Sequence, residues 1–163
     1  MRRNPAGVEL NRQPPVATYT QIIYHIVFST KHRERVLTQT RRDDLFRYIW
    51  GITKNKQGQL YRIGGVEDHV HILTSLHPTV ALADFVKAIK VASALWIKEE
   101  RVFPEFGHWQ DGYGAFTHSI HEKDALIDYI KGQVEHHRHE SFVDEYKRLL
   151  TDAGVEFDEK HWD

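Results

Sequence analysis

Gln59-Leu60-Tyr61-Arg62-Ile63-Gly64-Gly65-Val66-Glu67-Asp68-His69-Val70-His71-Ile72-Leu73-Thr74-Ser75-Leu76 holds two extended segments joined by an acidic pair. Gln59 to Val66 and His69 to Leu76 carry the β-branched and aliphatic residues of strands. The short Glu67-Asp68 junction suggests a hairpin, although one continuous bent strand would also fit. Gly64-Gly65 marks a bulge or a close approach of another backbone. Side chains alternate across a strand, so His69 and His71 leave one face while Val70 and Ile72 leave the other, where helices can cover them.

Outward from this pair, Tyr19 to Thr30 is rich in Ile, Val, Tyr and Phe and reads as a first strand. A helix follows from Gln39, with Thr38 as its cap, Leu45, Tyr48, Ile49 and Ile52 at helical spacing, and Gly58 at its end. Asp84 to Glu100 is a second helix with the stripe Phe85, Ile89, Ala92 and Trp96. An aromatic, Gly- and Pro-containing loop runs from Phe103 to Gly114. Ala115 to His121 reads as a fourth strand and Lys123 to about His139 as a third helix. Ser141 caps a last short helix through Leu150, which Gly154 stops. The first six elements predict an α+β, ferredoxin-like βαββαβ sandwich: an antiparallel sheet with two helices on one face. The C-terminal part adds helix beyond that unit. Residues 1–17, proline-containing and aperiodic, read as a flexible arm. Residues 18–155 form the single domain, and 156–163 a tail.

The chain lacks cysteine, which excludes disulfides, thiolate metal sites and a Cys nucleophile. No run approaches the about 20 apolar residues that span a bilayer. Met1-Arg2-Arg3 is not followed by an apolar segment, so no secretion signal is read and a cytoplasmic location is expected. The net charge of −1 lacks the basic excess common in nucleic-acid binders. Local distribution offsets this. Lys31, His32, Arg33 and Arg35 cluster, Arg41 and Arg42 follow, and Lys87, Lys90 and Lys98 share a helix, while acids concentrate from Asp144 to Asp163.

His69 and His71, two positions apart on one strand face, can reach one divalent ion or one phosphate; as a bare pair they equally suit a solvated polar face. The third helix adds weight. Leu126, Ile127, Ile130 and Val134 form its expected core stripe, and Tyr129, Gln133 and His136 fall beside it at i, i+4 and i+7. Tyr129 offers a hydroxyl nucleophile and Gln133 an oxygen ligand; alternatively the tyrosine borders the core and the glutamine faces water. His25, among apolar neighbours, reads as structural; His118 and His121, near the end of the fourth strand, could approach DNA, but the structural reading is preferred. His136, His137 and His139 look like a metal cluster on paper. On one continuous helix, however, His136 and His137 point about 100° apart, and His136 is favoured because it shares the stripe of Tyr129. Tyr113 and Tyr146 rank below Tyr129 because neither precedes a glutamine by four residues.

Together, Asp68-His69-Val70-His71, Tyr129-Ile130-Lys131-Gly132-Gln133, Tyr24-His25-Ile26-Val27-Phe28-Ser29-Thr30-Lys31, Trp109-Gln110-Asp111-Gly112-Tyr113-Gly114-Ala115-Phe116 and the run from Glu135 to Phe142 resemble the HUH-class single-tyrosine transposases. These serve the smallest bacterial insertion sequences and include relatives linked to repetitive extragenic palindromes (REP). The resemblance spans about residues 18–155. It implies that His69, His71 and Gln133 hold Mg²⁺ or Mn²⁺. It also implies that Tyr129 attacks single-stranded, hairpin-containing DNA to give a 5′-phosphotyrosine, and that the protein is a homodimer. For DNA contact, Lys31, Arg33 and Arg35 are favoured, then Lys87 and Lys90, with Trp109 or Tyr113 stacking on an unpaired base. The competing readings are a non-catalytic single-strand-binding module and a metal phosphoesterase that uses water.

Overall fold

The structure, a computed structural model, describes residues 18–160 and 162; the expected N-terminal arm, 1–17, lies outside the described residues. The elements run β1 (Ile23–Ser29), α1 (Gln39–Asn55), β2 (Gln59–Gly65), β3 (His69–Ser75), α2 (Leu82–Glu99), β4 (Gly114–His118), α3 (Lys123–Lys131), α4 (Gln133–His136) and α5 (Phe142–Asp152). Single 3-10 turns precede α1 and α3. The sheet is antiparallel throughout, in the order β2-β3-β1-β4, the ferredoxin-like arrangement expected. The β2–β3 segment is a hairpin, which resolves the alternative of one bent strand. The register slips between Leu60 and Arg62, so the bulge falls at Tyr61, not at the glycine pair.

Alternation in β1 and β3 divides the sheet into two chemically different faces. Ile26, Phe28, Val70 and Ile72 face α1 and α2 and pack with Leu45, Ile49, Phe85 and Ile89. Each large side chain buried here is worth about 1.5–3 kcal/mol of transfer free energy, and this layer is the main core. The opposite face presents Ile23, His25, Val27 and Ser29 from β1 beside His69, His71 and Leu73 from β3. It is covered as well: Ile130, Leu126 and Ile127 of α3 rest near Ile23 and Leu73. Phe142, Tyr146 and Leu149 of α5 rest on Val27 and Phe116. The sheet is therefore sandwiched between two helical layers.

Two glycines let the second layer dock. A Cβ on Gly64 would stand 2.7 Å from the Ile130 carbonyl oxygen, and one on Gly114 would stand 2.5 Å from the Tyr146 ring. The close backbone approach expected at Gly64 is thus where α3 meets β2.

The predicted third helix does not run unbroken to His139. At Gly132 (φ −83°, ψ 6°) it breaks into α3 and α4, glycine being a weak helix former. The predicted stripe fails at the same point. Ile130 is buried, but Val134 is 52% exposed because the break changes the phase of the helix. Ser141 caps α5 as expected, its hydroxyl accepting from the Asp144 amide at 3.2 Å, and Gly154 takes a left-handed φ of 69° after the helix. Thr38 precedes α1 without a side-chain cap. No helix of the described residues is long and apolar enough to cross a membrane.

Candidate active site and metal centre

β3 carries His69 and His71 into the interface between the sheet and the second helical layer, where both are fully buried. Each ring is fixed through Nδ1. His69 Nδ1 lies 2.6 Å from Asp68 Oδ1, and His71 Nδ1 lies 2.8 Å from His25 Nε2. His25, expected to be merely structural, is therefore the partner that orients His71. Both Nε2 atoms face inward, as metal ligands with outer partners do.

The group they face is Glu145 of α5, itself 0% exposed. Its Oε1 lies 2.9 Å from His71 Nε2, 3.4 Å from His69 Nε2 and 3.2 Å from His137 Nε2. Its Oε2 accepts from the Tyr129 hydroxyl and, at 3.3 Å, from the Gln133 amide. Gln133 is also buried, with its Oε1 3.4 Å from His69 Nε2. Tyr129, Gln133, His69 and His71 therefore meet at one point, although they come from β3, α3 and α4.

Arg148, one turn beyond Glu145, donates to the Tyr129 hydroxyl at 3.1 Å and to both oxygens of Glu140 at 3.0 and 3.1 Å. His136, the favoured auxiliary histidine, joins this outer arc. Its ring lies 5.5 Å from that of Tyr129 and it contacts Glu140. The helix break instead turns His137 toward the pair, 4.4 Å from His69 between ring centroids.

Burial pulls the pKa of His71 down to about 4, leaving a neutral imidazole at physiological pH. Burial acts the same way on His69, but the carboxylates of Asp68 and Glu145 outweigh it and raise its pKa. Burial would raise that of Glu145, yet hydrogen bonds from His137, His69 and His71 hold it below the ordinary carboxylate range. Burial and then Glu145 push the Tyr129 phenol up, with Arg148 opposing, so the hydroxyl keeps its proton. His69, His71, His137 and Glu145 offer ligand atoms all within 4.8 Å of one another. Three imidazoles and one carboxylate fit a divalent cation. His136, Glu140 and Glu145 form a second such group, but there Arg148 already neutralises Glu140.

The expected DNA contacts are spread over three recesses. Lys31 and Arg33 line a cavity of about 280 Å³ with Ser29, Phe142 and Tyr146, adjoining the site; Lys31 is tied to Asp111 at 2.8 Å. Arg35 pairs with Glu67 at 3.4 Å beside His137 and Phe142. Lys87, Lys90 and Tyr113 line a separate groove of about 450 Å³. Lys90 Nζ donates to the carbonyls of Gln110 and Gly112, and burial lowers its pKa to about 8. It ties down the aromatic loop. Trp109 is a correction to the expected stacking surface: it is 4% exposed, packs on Phe28 and donates to Ser93 at 2.9 Å. Tyr146 packs against Phe142, away from the imidazoles. His118 and His121 lie outside the cluster, His118 beside Glu122.

The family model for IS200-like transposases matches residues 18–133. The chain belongs to the IS200-like transposase family. Among other members, the ISDra2 transposase TnpA of Deinococcus radiodurans is 29% identical over 123 residues, covering 69% of this chain and 84% of that protein. The transposase for insertion sequence element IS200 of Salmonella typhimurium is 26% identical over 118 residues, covering 69% and 76%. A crystal structure described as a transposase from Deinococcus radiodurans R1 superposes with a TM-score of 0.57 at 28% identity, covering 75% of this chain and 97% of that one. A REP-associated tyrosine transposase bound to a REP hairpin shares the fold, with a TM-score of 0.51 at 14% identity over 71% of each chain. As an IS200-like transposase, the chain is a DNA-processing enzyme of transposition. The family match stops at Gln133, so it includes His69, His71 and Tyr129 but not Glu145 or Arg148.

Proposed function

We propose that this transposase cleaves and rejoins single-stranded DNA through a phosphotyrosine at Tyr129, with a divalent metal at His69 and His71. The observation that carries the reading is Glu145. One of its oxygens accepts from the Tyr129 hydroxyl while the other faces His71 Nε2 at 2.9 Å, so nucleophile and metal ligands lie on opposite sides of one carboxylate.

In this reading Tyr129 Oη attacks phosphorus and the bond to the 3′-oxygen breaks. The DNA 5′ end is left on the tyrosine. The phenolic proton passes to Glu145 Oε2, which accepts from the hydroxyl at the start, and the departing 3′-oxygen takes up one proton, so no net proton is gained or lost. Attack by a different 3′-hydroxyl reverses the step and joins new strands, because the phosphodiester energy is kept in the tyrosyl ester. When bound, the metal polarises the phosphate and offsets its developing charge. Arg148, 3.1 Å from the hydroxyl, adds fixed positive charge beside the reacting group. Asp68 and His25 hold the two imidazoles in orientation.

The DNA partner is hairpin-containing single strand, supported by the REP hairpin of the structural neighbour and by Lys31 and Arg33 beside the site. The resemblance to the single-tyrosine transposases supports a homodimer as the working form.

The test is a labelled hairpin-bearing single strand incubated with and without Mn²⁺ or Mg²⁺, followed by denaturing electrophoresis. A metal-dependent covalent adduct that disappears in Tyr129→Phe supports the reading. Binding without any cleavage would make the chain a non-catalytic binder. Cleavage that survives Tyr129→Phe would make it a hydrolase using water.

A further inference from the structure

Hydrogen bonds orient the histidine cluster beyond the pair in β3. His69 Nδ1 faces the Asp68 carboxylate at 2.6 Å and His137 Nδ1 faces the Glu140 carbonyl at 2.7 Å. Both partners only accept, so each ring donates from Nδ1 and turns Nε2 toward the pocket. Those two Nε2 atoms face Glu145 Oε1 at 3.4 and 3.2 Å. His71 Nε2 approaches the same oxygen at 2.9 Å. Three imidazole nitrogens thus converge on one carboxylate oxygen, all four atoms lying within 4.8 Å of one another. One divalent cation among them would take all four as ligands.

Ligands about 2.1 Å from a tetrahedral ion stand about 3.4 Å apart; the 2.9–3.4 Å from Glu145 Oε1 to the three nitrogens is near that spacing. Glu145 is held with Oε1 toward the imidazoles because Oε2 is occupied by Tyr129 and Gln133. Gln133 reaches His69 alone among the histidines, and its amide nitrogen is committed to Glu145 and the Tyr129 carbonyl.

We propose that His137 and Glu145, rather than Gln133, complete the metal shell begun by His69 and His71, and that this three-imidazole, one-carboxylate set selects a transition-metal dication over Mg²⁺. Mg²⁺ keeps water and oxygen ligands, whereas imidazole favours later first-row ions. The inference rests on the metal-dependent reading above and assigns its ligands. Gln133 becomes a positioning residue for Glu145.

The experiment is metal binding by the full chain without DNA, after chelator treatment. Co²⁺ is followed by its visible ligand-field absorption, and Mn²⁺ and Mg²⁺ by calorimetry. His137→Ala and the isosteric Glu145→Gln are each expected to weaken Co²⁺ binding by about 100-fold or more, since loss of even an outer partner costs about 10- to 100-fold. Both should also alter the Co²⁺ spectrum. Gln133→Leu, which removes only an outer partner of Glu145, should cost about 10-fold, less than either ligand variant, and leave the Co²⁺ spectrum unchanged, and Mg²⁺ should bind more weakly than Mn²⁺. Thermal melts in chelator identify any variant that fails to fold, and the two ligand variants stand in for each other. Loss of Co²⁺ in Gln133→Leu with retention in the other two overturns the proposal, as does Mg²⁺ binding as tightly as Mn²⁺. These outcomes concern the ligand assignment alone; the choice of Tyr129 as nucleophile is tested separately, by loss of the adduct in Tyr129→Phe. A wild-type chain that binds no divalent ion overturns both the ligand assignment and the metal-dependent reading.

Discussion

His71 and Ile72 are adjacent in β3 and equally buried, yet they face opposite helical layers. Ile72 enters a face of aliphatic and aromatic side chains, where burial itself supplies the free energy. His71 enters a face where burial alone would be costly, and hydrogen bonds to His25 and Glu145 offset the desolvation. The first layer holds the fold together, and the second holds reactive groups in place at some expense of stability. His25 makes the expense visible, since its Nδ1 is buried without a partner. One sheet thus separates stability from chemistry by the alternation of its side chains.

The sharpest way to break this division is to exchange the two faces. His71→Leu is expected to cut adduct formation by about 100- to 1000-fold with little change in the urea midpoint of the chelated protein. Ile72→Ala should do the reverse, costing about 2–5 kcal/mol in denaturant titrations while the folded fraction keeps its activity. If both variants lose stability equally, the division is wrong.

Acid should strain the polar face selectively. The pKa of His71 is depressed in the fold, so the unfolded chain binds the extra proton and stability falls as pH drops from the unfolded value toward about 4. The loss, on the order of 3 kcal/mol for this group, should appear as a falling melting temperature in chelator and be reduced in His71→Leu. A melting curve with the same acid dependence in both proteins would remove His71 from that role.

The contact between layers is the finest test. Gly64→Ala places a methyl group against the Ile130 carbonyl and should cost about 1–3 kcal/mol by overpacking. It should also slow adduct formation, because α3 carries Tyr129. Unchanged kinetics would mean that the position of α3 on β2 is not what aims the tyrosine.

Much of this was legible from local pattern. Alternation assigned His69 and His71 to one face and Val70 and Ile72 to the other, and the order of strands and helices was enough for the ferredoxin-like unit. Tyr129 and Gln133, four apart on either side of Gly132, do meet the histidines. Glu145 is a different case. The spacing Phe142, Glu145, Tyr146, Leu149 puts a carboxylate inside an apolar helical stripe, a signal hidden among the acids of the C-terminal region. An unbroken helix puts His136 on the stripe of Tyr129, and only the break at Gly132 turns His137 toward His69.

What the sequence determines by itself is what short-range geometry repeats: the two-residue alternation of a strand, the 3.6-residue turn of a helix, and the pairing of residue types with chemistry. The tertiary structure decided which distant side chains share a site. A kink at Gly132 and the docking of α5 through Gly114 bring Glu145, His137 and Arg148 to Tyr129 and the histidines. Those placements depend on packing between elements far apart in the chain, which no local period encodes.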